Sequence, residues 1–318
     1  QPGSLGGRPV TTTSSQQQQS SQQQRSSQLK QPGGVRPYPR GKRRRRRLHL
    51  GANITALIFS IIWAFPVYWM INTAFKSRPE VMTATPVFFS KHPTISNFTS
   101  AFTQSNFLVD LRNSAIVVVS AVVLSIVLGA LAAAALSRFH FRGRRTIMVL
   151  ILAVQMLPGT ALLIPTFLVF NELNLLGTYF GLILAYVATV LPFSIWVMRG
   201  FFVAIPFELE EAAMIDGAGS WRILRSILFP LVMPGVIATS IFAFITAWND
   251  YLVAYTFMKD QDMYTLPIWL ASFSNPVTGT DFGGQMAASV LFSLPVVVLF
   301  LLIQRPLVAG MSAGPVKR

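Results

Sequence analysis

Cysteine is missing from all 318 residues, and only 12% of them are charged, about half the share of a typical soluble domain. Without cysteine there are no disulfides, no thiolate-held zinc or iron–sulfur cluster, and no thiol catalysis. Carboxylates are scarce, 11 against 26 Lys and Arg, and the first in the chain is Glu80. The three histidines (His49, His92, His140) are far apart. No G-x-x-x-x-G-K-[ST] phosphate loop, H-E-x-x-H or G-x-S-x-G occurs, nor any pair of carboxylates spaced for acid–base work. ATP hydrolysis by a phosphate loop and the common hydrolytic chemistries are therefore not encoded here.

The net charge of +15 is unevenly placed, because residues 1–47 hold 11 basic residues and no acidic one. Residues 1–37 are rich in Gln, Ser, Gly and Pro, with Gln runs at 16–19 and 22–24. Such a segment buries too little apolar surface to offset its ordering entropy, so a disordered, basic cytoplasmic tail is expected over 1–47. Five consecutive arginines, 43–47, stand directly before an apolar stretch. Beside a membrane span, an Arg run holds that end on the cytoplasmic side; nucleic-acid binding is the rival reading. The stretch exceeds 20 residues, against about 7–15 for a signal-peptide core, and no A-x-A-like site follows. It reads as an uncleaved first span.

Residues of the AVILMFWYC set make up 52% of the chain. They gather into six stretches, at about 50–73, 114–136, 146–170, 178–198, 227–249 and 284–304, none containing Asp, Glu, Lys or Arg. About 20 apolar residues cross a bilayer as a helix, so an all-α membrane protein with six transmembrane helices over residues 48–318 is expected. With that topology Lys and Arg divide 21 to 5 in favour of the side bearing the N-terminus, and 10 to 5 without the tail. Both termini are then cytoplasmic. Segments of about 74–113 and 250–283 face outside. Spans free of ionisable residues weaken the reading as an ion-coupled transporter. A conduit energised by another subunit, or a receptor or scaffold, remains.

The stretch at 206–226, between spans four and five, carries the most information. Pro206 suits a first helical position, and Glu208, Glu210 and Glu211 complement the positive end of a helix dipole. Phe207, Glu211 and Met214 share one face, while Leu209, Ala213 and Asp216 share another. Gly217 suits a helix stop with positive φ, and Ser220 suits the cap of a second short helix running towards Pro230. Small Ala212 and Ala213 permit close approach of another backbone. This helix can dock in a groove of a soluble partner or rest on the membrane surface.

The spacing E-A-A-x-x-x-G, nine residues, then I-x-L-P resembles the signature loop of binding-protein-dependent ABC importer permeases. Glu211, Ala212, Ala213, Gly217, Ile227 and Pro230 occupy the matching positions, with Phe229 where Leu is usual. Residues 65–76, 247–250 (Ala-Trp-Asn-Asp) and 304–317 are similar to the carbohydrate branch, within it the smaller, maltose-G-type subunit. The resemblance implies a type I importer permease fold whose loop, a cytoplasmic coupling helix, docks on an ATPase. Partners implied are a second, homologous permease, two ATPase subunits carrying ATP and Mg, an external sugar-binding protein and membrane lipid, with no nucleic acid. No cofactor is expected in this chain, and the setting is a bacterial plasma membrane. Asp216 belongs to the same coupling group, and the tail from Gly310 is implied to reach the ATPase interface. Polar and aromatic residues inside spans, Gln155, Tyr186, Trp196, Trp248 and Asn249, are candidates for the substrate path. A scaffold using the loop for assembly alone is the competing class.

Overall fold

A computed structural model describes residues 50–103, 106–275 and 279–312, together with Gly3. The basic tail and residues 313–318 lie outside the described residues. The chain divides into a unit ending at Phe59, described only in the opening turns of the first helix, and a second unit, Ser60–Arg318.

Helix α1 spans Leu50–Ala74. Short helices α2 (Arg78–Val81) and α3 (Ser96–Thr103) follow, then the long α4 (Phe107–Arg138). Next come α5 (Arg144–Gln155), α6 (Gly159–Glu172) and α7 (Tyr179–Ala204). A loop region holds α8 (Glu208–Ile215), α9 (Ser220–Ile223), a π-helical turn at Leu224–Leu228 and α10 (Phe229–Leu231). Then follow α11 (Met233–Trp248), α12 (Leu252–Phe257), a 3-10 turn at Gln261–Met263 and α13 (Leu266–Ala271). A two-residue antiparallel pair, β1 (Ser274–Asn275) with β2 (Gly279–Thr280), precedes α14 (Phe282–Ser312).

Helices α4 and α7 form the most extensive pair, with α11 packed on both. Lipid tails are as apolar as the helices, so association relies on close packing of small residues. On α4 these are Ala121, Ser125, Gly129, Ala130, Ala133 and Ala134, all buried. A Cβ built at Gly129 would stand 3.2 Å from Ser194 Cβ on α7. Two apolar clusters occupy the opposite ends of this pair. One gathers Phe107, Leu182, Trp248, Phe257 and Trp269; the other gathers Ala133, Met198, Phe202, Ala213, Ile223 and Val232.

Among the described residues, four helices are long and apolar enough to cross a membrane: the Asn53–Ala74 part of α1, α4, α7 and the Phe282–Gln304 part of α14. The stretches expected as single spans at 146–170 and 227–249 are each broken. The first bends by 104° between α5 and α6, at Pro158. The second bends by 73° between the Ser220–Leu231 arm and α11, so residues 227–231 belong to the preceding arm. Pro234 sits in the first turn of α11, where its missing N–H costs no ladder bond. Counting each bent pair as one crossing gives six.

Two boundaries also move. α4 begins at Phe107 rather than near 114, because Asp110 and Asn113, which ended the apolar window, are buried helical residues. Asn113 Nδ2 donates to the carbonyls of Asp262 (2.8 Å) and Tyr264 (2.9 Å), and its Oδ1 accepts from Tyr179 OH. α7 continues to Ala204 past Arg199, whose Nε donates to Leu136 O at 3.2 Å.

The segment after α1 is held by Glu80 and by Tyr68 and Asn72 of α1, which both donate to Phe88 O. Glu80 accepts from Ser90 Oγ (2.6 Å) and from the N–H groups of Lys91 (2.8 Å), His92 (3.3 Å) and Ser77 (3.4 Å). The Ser90 bond is the main cause that holds its pKa at about 2; desolvation acts the other way and the backbone donors add to the lowering. Nearby, Lys76 Nζ stands 4.1 Å from the centre of the Trp69 ring, and burial pushes its pKa down against the pull of Glu80.

A depressed carboxylate pKa stabilises above its unfolded value and loses that contribution as pH falls through the folded value. The order of segment 77–92 is therefore expected to hold from neutral pH to about 4.5 and to decay towards about 2. Proteolysis of that segment across this range checks it. Glu80→Ala should be cleaved there already at pH 7 and lack the acid transition.

Candidate functional site

The loop between α7 and α11 builds outward from two charged contacts. Arg138, at the end of α4, forms an ion pair with Glu210 of α8, Nε to Oε1 2.5 Å, with side chains 14% and 6% exposed. Arg138 Nη2 also donates to Ile205 O at 3.2 Å, fixing the chain where it leaves α7. Ala213, one turn beyond Glu210, is buried in the cluster with Ile223 and Leu228. Glu210 and Ala213 thus form the inward edge of α8.

Its end is a Schellman motif: Ala218 N–H donates to Ala213 O (2.9 Å) and Gly217 N–H to Met214 O (3.0 Å). Gly217 has φ +80°, a left-handed conformation that costs other L-residues about 1–2 kcal/mol. The start differs from the sequence expectation. Phe207 holds the N-cap position and Glu208 is the first helical residue, leaving Pro206 outside the helix. Ser220 is the first residue of α9 rather than its cap; Gly219 holds that place. A prolyl ring and a hydroxyl suit those roles, but the tethers at Ile205 and Ala218 set the register.

Glu211, Ala212, Met214, Asp216 and Gly217 all face away from the bundle. Phe207, Leu209, Met214, Ile215 and Trp221 add exposed apolar surface, Ile215 at 86%. Exposed apolar residues gathered on one short loop make it a candidate interaction face. Ile227 is half-buried against the cluster and Pro230 is exposed. The sequence singles out Glu211, while Glu208 and Glu210 count only as dipole partners. The three-residue spacing of Glu210 to Ala213 was the available signal.

The five substrate-path candidates do not converge. Tyr186 is buried; its hydroxyl donates to Asp250 Oδ2 at 3.1 Å, beside a cavity of about 340 Å³ that Thr160, Thr189 and Thr246 also line. Asp250 Oδ2 accepts from Ala254 N–H as well, at 3.1 Å. Trp248 is 3% exposed, stacked on Phe244 with ring centres 5.3 Å apart, and its Nε1 donates to Phe292 O. Asn249 turns back on its own helix, Nδ2 to Ile245 O 2.8 Å. Gln155 ends α5 on an exposed face, and Trp196 is 49% exposed on α7. No metal-ligating cluster exists among the described residues.

Removing one member of a buried ion pair strands the other charge, at about 3–5 kcal/mol. Arg138→Ala should therefore destabilise α8 by about that much. The double variant Arg138→Met with Glu210→Leu should recover most of the loss. Thermal unfolding of the detergent-solubilised chain, with proteolysis at 206–220, checks both.

The family described as "Binding-protein-dependent transport system inner membrane component" matches residues 125–313, which include the whole loop. The diacetylchitobiose uptake system permease protein DasC of Streptomyces coelicolor is 40% identical over 265 residues, covering 83% of this chain and 96% of that protein. The trehalose/maltose transport system permease protein MalG of Thermococcus litoralis is 34% identical over 266 residues, covering 83% and 95%. A crystal structure of a bacterial ABC transporter that imports the polysaccharide alginate shares the fold. It aligns with a TM-score of 0.71 at 24% identity, over 84% of this chain and 99% of that one. The chain belongs to the binding-protein-dependent transport system inner membrane component family.

Proposed function

We propose that this chain is one transmembrane half of an ATP-driven importer for a carbohydrate, and that α8 is its coupling helix. The observation that carries the reading is a short helix pinned on one edge and bare on the other. Glu210 and Ala213 are held by the bundle, while Glu211, Met214 and Ile215 are exposed among the described residues. An ATPase subunit fits that face. Glu211 then makes a charge-assisted hydrogen bond to a basic or backbone donor, and Ala212 lets the partner backbone approach. Ala213 serves the inner side instead. Asp216 and Gly217 close the helix, and Ile227 and Pro230 fix the arm that carries motion into α11.

ATP and Mg act on the ATPase subunits, two to each transporter, and a second homologous permease completes the pathway. An external binding protein delivers the sugar. The Lys and Arg bias puts the α8 end and both termini in the cytoplasm. The carbohydrate assignment draws on the relatives, which are named for diacetylchitobiose and for trehalose and maltose. Closure of the ATPase dimer shifts the helices between inward-open and outward-open states. A partner biases such an equilibrium only through different affinities for the two states, so α8 has to transmit force without yielding.

Glu211→Lys in the reconstituted transporter should lower ATP-dependent sugar uptake at least tenfold while the subunits still co-purify. Unchanged uptake with normal assembly would make the loop an assembly device and favour a scaffold.

A further inference from the structure

The loop from α4 to α5 and the end of α7 enclose a second cavity, of about 450 Å³. Arg138, which pairs with Glu210 of α8, ends α4 just before this loop. Arg144, Arg145 and Arg199 line the cavity together with Phe141, Gly143 and Met148. Backbone carbonyls occupy part of two guanidiniums: Arg144 Nη2 donates to Ser137 O at 3.4 Å, and Arg199 Nε to Leu136 O at 3.2 Å. No carboxylate lines the cavity, and among the described residues none forms an ion pair with any of the three arginines.

This concentration of charge runs against a local rule. Arg144 and Arg145 open the first turn of α5, where the positive end of the helix dipole favours acidic side chains, and that turn holds none. Arg199 arrives from α7, a different part of the chain. The preference for basic residues on one side of a membrane asks only that they lie on that side. It does not require three guanidiniums and a helix dipole to meet at one cavity without a counter-charge. Local rules are broken chiefly at functional sites, and this arrangement calls for an anion.

The depth and the neighbours say which kind. Arg144 and Arg145 stand directly before the stretch free of charged residues that begins at Thr146. That is headgroup level for a helix entering a bilayer. Met148 shares a face of α5 with Leu152, one turn deeper and exposed. The site is thus basic at the surface and apolar below, which suits an amphiphile. Guanidinium forks match phosphate oxygens two at a time, and basic pockets between membrane helices bind anionic headgroups. We infer that this cavity holds an anionic phospholipid, its phosphodiester between Arg144, Arg145 and Arg199 and an acyl chain along Met148 and Leu152. The inference rests on the chain crossing a membrane and not on what the importer carries. Free phosphate shares the headgroup chemistry but makes no use of the apolar strip.

The test uses the assembled transporter in detergent, titrated with phosphatidylglycerol or phosphatidylcholine, with bound lipid counted by native mass spectrometry. Phosphatidylglycerol should bind at least tenfold more tightly than phosphatidylcholine. The double variant Arg144→Gln with Arg145→Gln should hold one tight phosphatidylglycerol fewer than the parent. It relieves repulsion at the start of α5, so its thermal midpoint should not fall. Should it fail to fold, Met148→Glu keeps all three arginines, sets a carboxylate among them and should displace the same lipid. Arg222→Gln with Arg225→Gln removes equal charge from exposed positions on the arm beyond α8 and should leave that lipid bound. Loss of the lipid in this control pair would mean diffuse attraction to a basic surface and would overturn the site. So would unchanged binding in the cavity variants, equal binding of the two lipids, or displacement by excess inorganic phosphate. A tight lipid that binds only after the ATPase subunits are removed would give the arginines to a protein partner and overturn it as well.

Discussion

The contact on which the account depends is the buried pair between Arg138 and Glu210. An eight-residue helix has little stability of its own, since helices shorter than about 12–15 residues are marginal in water. Alone on a loop, α8 would fray, and a partner pushing on it would spend motion on bending the loop. One guanidinium prevents this by holding both the entry of the loop, at Ile205 O, and the buried edge of the helix, at Glu210. The Schellman turn at Gly217 holds the other end. Arg138 is the last residue of α4, so this contact ties α8 directly to the central helix pair.

The packing of the bundle suits the proposed coupling. Small residues let α4 and α7 approach closely, and interiors at such packing density transmit displacement rather than absorb it. The bends are placed differently. The 73° turn between the Ser220–Leu231 arm and α11, and the 104° turn between α5 and α6, interrupt two crossings where straight helices were expected. The π-helical turn at Leu224–Leu228 lies in the same arm, and such turns recur at functional sites. Under the proposed coupling, the straight α4–α7 pair carries the motion and these two bends are its joints.

The sequence made the large features legible for physical reasons. Apolar runs without charges can only be helices in lipid, and the spacing from Glu211 to Pro230 is long enough to be specific. What it hid were features that depend on distant partners. Hydropathy ended α4 at the wrong place, because Asp110 and Asn113 look like loop residues until 262–264 is seen across from Asn113. A run of apolar residues does not reveal a bend, so the span at 146–170 appeared continuous although Pro158 was visible within it. Glu210 resembled its neighbours until Arg138, 72 positions earlier in the chain, was found beside it. Among the substrate-path candidates, Trp248 and Asn249 were chosen for their chemistry, and folding directs that chemistry back into the protein.

The rigidity of α8 can be measured directly, because a chain without cysteine accepts spin labels at chosen sites alone. Glu208 on α8, outside the proposed docking face, and Val127 on α4 are both exposed. The distance between labels at Glu208→Cys and Val127→Cys, read by pulsed EPR in the assembled transporter, should stay as one narrow peak with and without ATP. A distribution that broadens or shifts by a helical turn, about 5 Å, when nucleotide is added would show α8 moving independently and contradict the proposed coupling.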